Sequence, residues 1–327
     1  MPTVLTIGNF DGVHLGHAAL VRRARELAGP AAAGGRVVVL SFDPHPLTAI
    51  RPEIAPKRLT PFERRAGLLR ALGADEVVRL EPTPDFLALE PERFVERLAA
   101  EHAPAALVEG DDFRFGRGRS GDVETLRALG RRHGFEVAVL PPVQVALTDQ
   151  TIVRASSTMV RWLLAHARVR DAALVLGRPH EIAGTVVPGD RRGRTIGFPT
   201  ANVATDDTLP ANGVYAARAV LPDGRTFPAA VNVGARPTFE NARPQTEAHL
   251  ILPGAGPEWR PVDGLPEYGW AIRLRLIAFV RDQARFASLD GLVAQIRRDT
   301  QRARALVEEA DGLFAPDRGE SPEVLKP

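Results

Sequence analysis

Two histidines with a glycine between them follow a short apolar stretch near the start of the chain. His14 and His17 lie in the turn formed by residues 8–17, directly before a segment with helical spacing. A strand, a glycine-rich turn and a helix start present backbone amides and the positive end of a helix dipole to an anion. Imidazole donates hydrogen bonds to phosphoryl oxygens and can gain charge as they do, and Gly16 would let the backbone approach a phosphate. A capped helix with surface histidines is the alternative, but this setting favours an anion site.

Three later polar segments are expected to meet this turn. They are residues 41–46, 110–116 and 154–158. Ligands of parallel sheets bind outside the carboxyl ends of the strands, so these segments predict one shared site. Residues 156–158 also fit an N-cap of the helix that follows, a role compatible with phosphate binding. Residues 117–119, taken alone, are typical of a flexible basic loop.

A second glycine-rich region, residues 177–202, begins the other half of the chain. Its glycines allow a loop whose amides face phosphates, and a threonine hydroxyl there is a suitable Mg²⁺ ligand because the ion prefers oxygen donors. An ordinary loop is an equally good interpretation of this region taken alone. Farther along, Glu247 shares one face of an alternating strand with His249, a pattern that by itself favours a surface glutamate.

Strand and helix patterns alternate through the first half of the chain. A capping box at Thr60 with Pro61 at the first helical position starts one helix, and Gly73 ends it. This alternation predicts a doubly wound α/β fold with a parallel sheet and right-handed crossovers. The predicted strands are residues 3–8, 36–42, 77–78, 105–108 and 136–140, and the other predicted helices are residues 20–28, 91–102 and 123–132.

The pattern changes after about residue 168 to segments that alternate with a period of two. Several such strands separated by turn residues predict an antiparallel β-barrel, closed by a helix over residues 289–306. The predicted strands are residues 181–187, 213–221, 227–233, 246–252 and 271–280. We therefore expect domains at residues 1–168 and 169–315, followed by a disordered tail at residues 316–327.

Composition narrows the class of protein. The 327 residues contain no cysteine, which excludes a disulfide framework, a thiolate zinc site and a cysteine nucleophile. A net charge of +2 and 6% aromatic residues argue against a nucleic-acid partner. The first residues lack the positive charge of a signal peptide, and no apolar run approaches the length of a membrane span. We expect a cytoplasmic protein without a membrane partner; the sequence allows a homo-oligomer but does not indicate one.

Four motifs of the first half together resemble a known family. GNFDGVHLGH, SFDPHP, GDDFRFG and SSTMVR, in this order, are similar to the adenylyltransferase module of bacterial bifunctional riboflavin kinase/FAD synthetases, within the HxGH nucleotidyltransferase superfamily. Residues 193–202, 213–215 and 232–239 resemble the riboflavin kinase module of the same family. The resemblance extends over residues 4–304.

The resemblance implies two activities. The barrel would phosphorylate riboflavin with ATP to FMN, and the first domain would join FMN to AMP from ATP, releasing pyrophosphate. It implies Mg²⁺ as the cofactor, with Thr200 as its ligand, and His14, His17 and Glu247 as catalytic residues, Glu247 being the general base. The implied substrate-binding residues are Gly8, Phe10, Asp11, Gly16, Asp112, Arg154, Ser157 and Thr158 in the first site, and Gly184, Gly189, Gly197, Thr200 and Asn202 in the second.

The chain departs from the family pattern at two places. Residues 253–267 form a long, unusual link before the segment Glu267-Tyr268-Gly269, and Glu109 stands where an apolar residue is expected. Two other functions stay open. One is an HxGH nucleotidyltransferase with a different acceptor. The other is a non-catalytic flavin-binding regulator, which would not consume ATP.

Overall fold

The computed structural model describes residues 2–234, 245–254 and 261–310. The expected tail at residues 316–327 and the middle of the 253–267 link lie outside these ranges. The chain divides into two compact units, the first comprising Met1–Ala146 and Ile152–Ser157, the second Leu147–Thr151 and the chain from Thr158 onward. The domain limits expected from the sequence stay a prediction.

A five-stranded parallel sheet forms the centre of the first unit. The strand order is β3-β2-β1-β4-β5, which confirms the doubly wound sheet expected from the sequence. The run Val37–Leu40 is buried on both faces of the sheet, as its lack of alternation requires. The strands are β1 (Thr3–Gly8), β2 (Arg36–Phe42), β3 (Glu76–Leu80), β4 (Ala106–Gly110) and β5 (Glu136–Leu140).

Helices cover both faces of this sheet and create two separate cores. One core packs Val21 and Leu69 against Val39, and the other packs Val95 and Leu126 against the opposite face. The helices of the unit are α1 (Leu15–Ala28), α2 (Leu47–Ile50), α3 (Phe62–Ala71), α4 (Pro84–Leu87), α5 (Pro91–His102) and α6 (Val123–His133), with 3₁₀ turns at Ala31–Ala33, Pro52–Ile54 and Arg117–Arg119.

The capping box expected at Thr60 is wrong. Pro61 is the N-cap of α3, and no side chain caps this helix. The backbone amide of Thr60 instead donates to the carboxylate of Asp11. A tertiary contact therefore fixes the approach to α3, which a local sequence pattern does not reveal.

A short ribbon and two helices follow the sheet. Strands β6 (Gln144–Ala146) and β7 (Ile152–Arg154) pair antiparallel. Helices α7 (Ser157–Ala165) and α8 (Val169–Leu176) come next along the chain. In the second unit, the buried carboxylate of Asp171 accepts hydrogen bonds from the backbone amide of Thr148, at 2.7 Å, and from Arg168 Nε, at 2.7 Å.

The second unit contains a closed six-stranded barrel with the order β10-β11-β12-β9-β8-β13, as the alternating segments predict. Strand β9 was not predicted, because its four residues start inside the glycine-rich region and are too few to show alternation. The elements are β8 (His180–Val187), α9 (Arg192–Thr195), β9 (Ala201–Ala204), β10 (Gly213–Val220), β11 (Thr226–Gly234), β12 (Gln245–Leu250), β13 (Ala271–Arg281) and α10 (Leu289–Ala310). Helix α10 packs Ala303, Leu306 and Val307 against the barrel.

Glu109 is a buried acid at the point where two central strands separate. Strands β1 and β4 pair only through residues 4–5 and 106–107. Beyond that point Glu109 Oε1 accepts a hydrogen bond from the backbone N–H of Ile7 at 2.8 Å. Burial raises the pKa of Glu109 well above its ordinary value; the Ile7 amide opposes this and the charge of Asp112 adds to it. The unexpected acid therefore supplies an acceptor that a neighbouring strand backbone would otherwise provide.

This burial predicts a pH-dependent stability. The folded state holds the Glu109 proton more tightly than the unfolded state, so wild-type stability should fall as the pH rises from the ordinary value of 4.5 through the raised pKa. Glu109→Gln keeps an oxygen for Ile7 and has no charge to bury, so this variant should gain stability over wild type at pH 8 but not at pH 4. Thermal unfolding midpoints measured across this range test the expectation. Substitution of an exposed glutamate, Glu53→Gln, is the control. If the unfolding midpoints of wild type and Glu109→Gln changed in parallel with pH, this expectation would be contradicted.

Candidate active sites

The turn after β1 has a constrained backbone. Phe10, Gly12 and Val13 have φ values of 48°, 83° and 44°. Such angles are uncommon for residues with a bulky side chain and persist only where the surroundings enforce them. Here Phe10 is 1% exposed and Val13 is 2% exposed, so burial of both side chains enforces the turn. The turn ends at His14 and starts α1.

The two histidines lie together at the start of α1. His14 is the N-cap, and its Nδ1 accepts hydrogen bonds from the backbone amides of Gly16, at 3.1 Å, and His17, at 3.4 Å. The rings of His14 and His17 stack with centroids 3.6 Å apart, and the Phe10 ring lies 5.0 Å from the His17 ring. The cap and the histidine pair proposed for phosphate binding are therefore one structure.

The cap fixes the proton of His14. Both partners of Nδ1 are N–H donors, so Nδ1 must accept and the neutral ring carries its proton on Nε2. Gaining a charge at Nδ1 would break both bonds. These bonds leave Nε2 as the ring's donor; that the imidazoles gain charge beside a phosphate stays a prediction.

Gly16 gives room to the His14 ring. A Cβ at Gly16 would lie 3.0 Å from the His14 ring and 3.3 Å from the carbonyl oxygen of Ala155. The expected approach of a phosphate to Gly16 stays a prediction. A Cβ at Gly8 would make only ordinary contact with the Phe10 ring, at 3.4 Å.

Asp11 holds the turn against the segment before α3. Its carboxylate is 5% exposed and accepts hydrogen bonds from the backbone amides of Leu59, at 2.9 and 3.0 Å, and Thr60, at 3.1 Å. Ser157 Oγ donates to the carbonyl oxygen of Asp11 at 2.7 Å. Asp11 and Ser157 are therefore brought together as supports of the turn. Thr158, which is exposed at the start of α7, belongs to the second unit.

A charged cluster joins the ends of β4 and β7. A terminal nitrogen of Arg154 lies 2.9 Å from Asp112 Oδ1 and 3.2 Å from Asp111 Oδ1. These side chains are roughly half exposed, so a phosphate could compete for the guanidinium. The predicted residues Asp112 and Arg154 thus lie in contact.

Two further polar residues lie beside this site: His45, within the predicted segment 41–46, and Arg65, which was not predicted. His45, in the SFDPHP segment, has its Nε2 3.2 Å from Asn9 Nδ2. Arg65, on α3, is buried and donates to the carbonyl oxygen of Asn9 at 3.0 Å. The motif position could have indicated His45, whereas an arginine within a helical pattern gives no signal of a buried role.

The barrel carries a row of polar residues across neighbouring strands. Asn202 on β9 and Asn232 on β11 are the direct partners of Glu247 on β12. Direct cross-strand partners point to the same face of a sheet, so Asn202, Glu247 and Asn232 form one polar row. The sequence analysis did not single out Asn232, because its partnership depends on strand register.

The glycines near this row serve close contacts. A Cβ at Gly189 would lie 2.0 Å from Asn202 Nδ2, so Gly189 makes room for that amide. A Cβ at Gly184 would lie 2.3 Å from the carbonyl oxygen of Ala204, so Gly184 permits β8 and β9 to pack. Gly197 has a φ of 80°, a conformation that favours glycine, in the turn before Thr200. Thr200 itself is exposed.

His249 fixes the segment that leads to Thr200. Its Nδ1 lies 2.8 Å from the carbonyl oxygen of Pro199, and its ring meets the Phe198 ring edge-on at 5.4 Å. Because a carbonyl only accepts, Nδ1 donates here. Burial lowers the pKa of His249, against the opposing effect of the Pro199 bond. A neutral His249 therefore anchors the residues before Thr200.

The end of the 253–267 link contacts the glycine-rich region. Arg194 donates to Glu267 Oε1 at 2.6 Å and to the hydroxyl oxygen of Tyr268 at 3.0 Å. Arg191 Nε donates to the same hydroxyl at 3.2 Å. Hydrogen bonds with Tyr268 and Arg194 lower the pKa of Glu267. Charged contacts thus connect the link to the loop that carries Gly189 and Gly197.

Both candidate sites carry groups suited to phosphate. A histidine pair at a helix start in the sheet unit and a glycine-rich loop near a strand glutamate in the barrel are arrangements that can bind phosphate groups. The family model described as FAD synthetase matches residues 1–157, and the model described as riboflavin kinase matches residues 176–307. The chain belongs to the family of bifunctional riboflavin kinase/FMN adenylyltransferases.

Individual relatives cover nearly the whole chain. A bifunctional riboflavin kinase/FMN adenylyltransferase from Escherichia coli strain K12 is 39% identical over 324 residues, covering 96% of this chain and 94% of the relative. One from Listeria monocytogenes is 34% identical over 310 residues, covering 92% and 91%. A crystal structure titled macrolide-efflux protein from Streptococcus pneumoniae has a TM-score of 0.79 at 28% identity, covering 93% of this chain and 94% of that one.

Two features are absent from the described residues. None of their helices combines the length and the hydropathy that a membrane span requires. Within the same ranges, no group of at least three histidine, aspartate or glutamate residues is arranged to hold a metal ion.

The double role of His14 can be separated by substitution. His14→Ala should lose the cap, which is worth about 0.5–2 kcal/mol, whereas His14→Asn should keep most of it because asparagine is a good N-cap. Both variants lack the Nε2 donor and should lose FAD formation by about 10²–10³-fold. Urea unfolding and product chromatography measure the two effects. His17→Ala is the control for stability, because it leaves the His14 cap intact. A fully active His14→Asn would contradict the assignment of the Nε2 donor.

Proposed function

We propose that the two units catalyse consecutive steps of flavin nucleotide synthesis. The barrel transfers the γ-phosphoryl group of ATP to riboflavin, giving FMN and ADP. The sheet unit then transfers AMP from a second ATP to FMN, giving FAD and pyrophosphate. The observation that carries this proposal is the match of both family models, in this order, to the regions that contain the two candidate sites.

In the sheet unit, the FMN phosphate oxygen attacks the α-phosphorus of ATP while the bond to pyrophosphate breaks. This in-line displacement needs positioning and stabilisation of charge rather than a covalent enzyme intermediate. His14 and His17 at the start of α1 would donate hydrogen bonds to phosphate oxygens. Gly8, Phe10, Asp11, Gly16 and Ser157 would hold the turn that presents them, and Asp112 and Arg154 would contact the nucleotide.

In the barrel, Glu247 would accept the proton of the riboflavin hydroxyl as that oxygen attacks the γ-phosphorus. Asn202, its cross-strand partner, and Thr200 would hold MgATP. Gly184, Gly189 and Gly197 would shape the loop around the phosphates. Support comes from the register that sets Asn202 beside Glu247, and from the contact that anchors Pro199 to His249.

Mg²⁺ would enter the barrel site as part of the substrate MgATP. The hydroxyl of the exposed Thr200 and the amide oxygen of Asn202 would supply oxygen donors, the kind of ligand that this ion prefers. Mg²⁺ commonly keeps several waters and shares its remaining positions between one or two protein groups and substrate phosphates. The ion would neutralise charge on the transferring phosphoryl group.

Assays of acceptor substrate and of ATP consumption distinguish two alternative functions. A nucleotidyltransferase with another acceptor would use pantetheine phosphate or nicotinate mononucleotide in place of FMN, and a flavin-binding regulator would consume no ATP. Cytoplasmic localisation, the absence of a nucleic-acid partner and the oligomeric state stay predictions.

The two sites should be separable by reciprocal substitutions. His17→Ala should lower FAD formation from FMN by about 10²–10³-fold, the usual effect of losing one preorganised donor, and leave FMN formation intact. Glu247→Ala should abolish FMN formation and leave FAD formation from supplied FMN intact. Chromatography of products from riboflavin or FMN with MgATP measures both rates.

The exposed histidine of α6, His133→Ala, is the matched control and should retain both activities. Loss of both activities in either His17→Ala or Glu247→Ala, with the fold preserved, would show that the sites are wrongly assigned.

A further inference from the structure

Arg65 places a buried positive charge beneath the first candidate site. Arg65 is only 3% exposed, although an arginine is seldom fully buried unless it is paired. Burial lowers the pKa of Arg65, and the charges of Asp11 and Asp43 oppose that effect. An arginine keeps its charge in a protein, so this guanidinium must be compensated by its neighbours.

The guanidinium joins three separate segments of the chain. One terminal nitrogen donates to the carbonyl oxygens of Asn9, at 3.0 Å, and Phe42, at 2.8 Å, and to Ser41 Oγ, at 3.2 Å. The other donates to the carbonyl oxygen of Thr60, at 3.3 Å, and to Asp43 Oδ1, at 3.4 Å. The acceptors lie after β1, at the end of β2 and before α3.

Asn9 is the link between these bonds and the histidine turn. Its carbonyl oxygen accepts from both Arg65 and Ser41 Oγ, the latter at 3.3 Å. It is the residue directly before Phe10, where the left-handed turn begins. Asn9 Oδ1 is buried and has no hydrogen-bond partner among the described residues. A buried acceptor of this kind is satisfied if a ligand donates to it.

An apolar side chain at position 65 could cover the same strands but could not donate to these oxygens. Replacing a whole buried ion pair by apolar residues is often neutral or stabilising, so the pairing of Arg65 with Asp43 is not explained by stability alone. The planar guanidinium presents donors in fixed directions, which a lysine ammonium does not. The arrangement therefore fixes where the ends of β1 and β2 lie relative to each other.

We propose that Arg65 is a positioning residue for adenylyl transfer, holding Asn9 and thereby the turn that presents His14 and His17. This inference rests on the proposed function of the sheet unit. Arg65 acts through Asn9 and the end of β2. A displacement of about 1 Å in a catalytic group can cost about 10²-fold in rate. Loss of Arg65 should therefore lower FAD formation by about this factor.

The experiment uses the full chain with the substitution Arg65→Ala. FAD formation from FMN should fall by about 10²-fold, while FMN formation from riboflavin, catalysed by the barrel, should stay within about twofold of wild type. Adding millimolar guanidinium chloride should raise the rate of FAD formation by Arg65→Ala at least about tenfold, because the free cation can occupy the vacated space. Sodium chloride at equal ionic strength should not restore it, and neither salt should rescue His17→Ala.

Two variants serve as controls. Arg70→Ala removes an exposed arginine from the same helix and should behave as wild type. Arg65→Lys keeps the charge without the fixed donor directions; it should fold, and it should lower kcat for FAD formation by about tenfold with little change in the KM for FMN. This variant tests the proposal if Arg65→Ala does not fold.

The outcomes are distinguishable. A wild-type protein that makes no FAD would overturn the proposed function itself. A wild-type protein that makes FAD, with Arg65→Lys equally fast, would overturn the positioning role alone. So would a folded Arg65→Ala that guanidinium does not rescue.

Discussion

The first site depends on one contact, the hydrogen bonds from the start of α1 to His14 Nδ1. They cap the helix, fix the ring beside His17 and leave the proton of the neutral ring on Nε2. The turn from Phe10 to Val13, with positive φ angles at Phe10, Gly12 and Val13, places His14 at this position. The same hydrogen bonds thus set the start of α1, the stacking of the two rings and the tautomer of His14. The helix cap and the proposed anion site are therefore compatible interpretations of the motif.

In the barrel, strand register positions the candidate site residues. Pairing of β9 with β12 brings Asn202 opposite Glu247, and pairing of β11 with β12 brings Asn232 to its other side. A shift of one residue would turn Glu247 to the opposite face. Closed barrels have no free edge along which strands can slip. The position of the proposed general base is therefore a consequence of barrel closure.

Local patterns predicted much of this architecture. The bounds of β1, β2, α5 and β5 agree with the periodicity of the sequence, because burial on one or both faces dictates the residue types there. Contacts between distant segments were not predictable. Thr60 fits a capping box by sequence but is used by Asp11, 49 residues away, and Glu109 finds its partner 102 residues away at Ile7. Arg65 and Asn232 escaped notice for the same reason.

A single chain that carries both sites should convert riboflavin to FAD by way of FMN, at the expense of two ATP molecules. A time course of the wild-type protein with riboflavin and MgATP tests this, with flavins and nucleotides separated by chromatography. Riboflavin should disappear, FMN should form first, and FAD, ADP and pyrophosphate should accumulate. Unchanged riboflavin with no ATP consumed, or FMN that never becomes FAD, would contradict it.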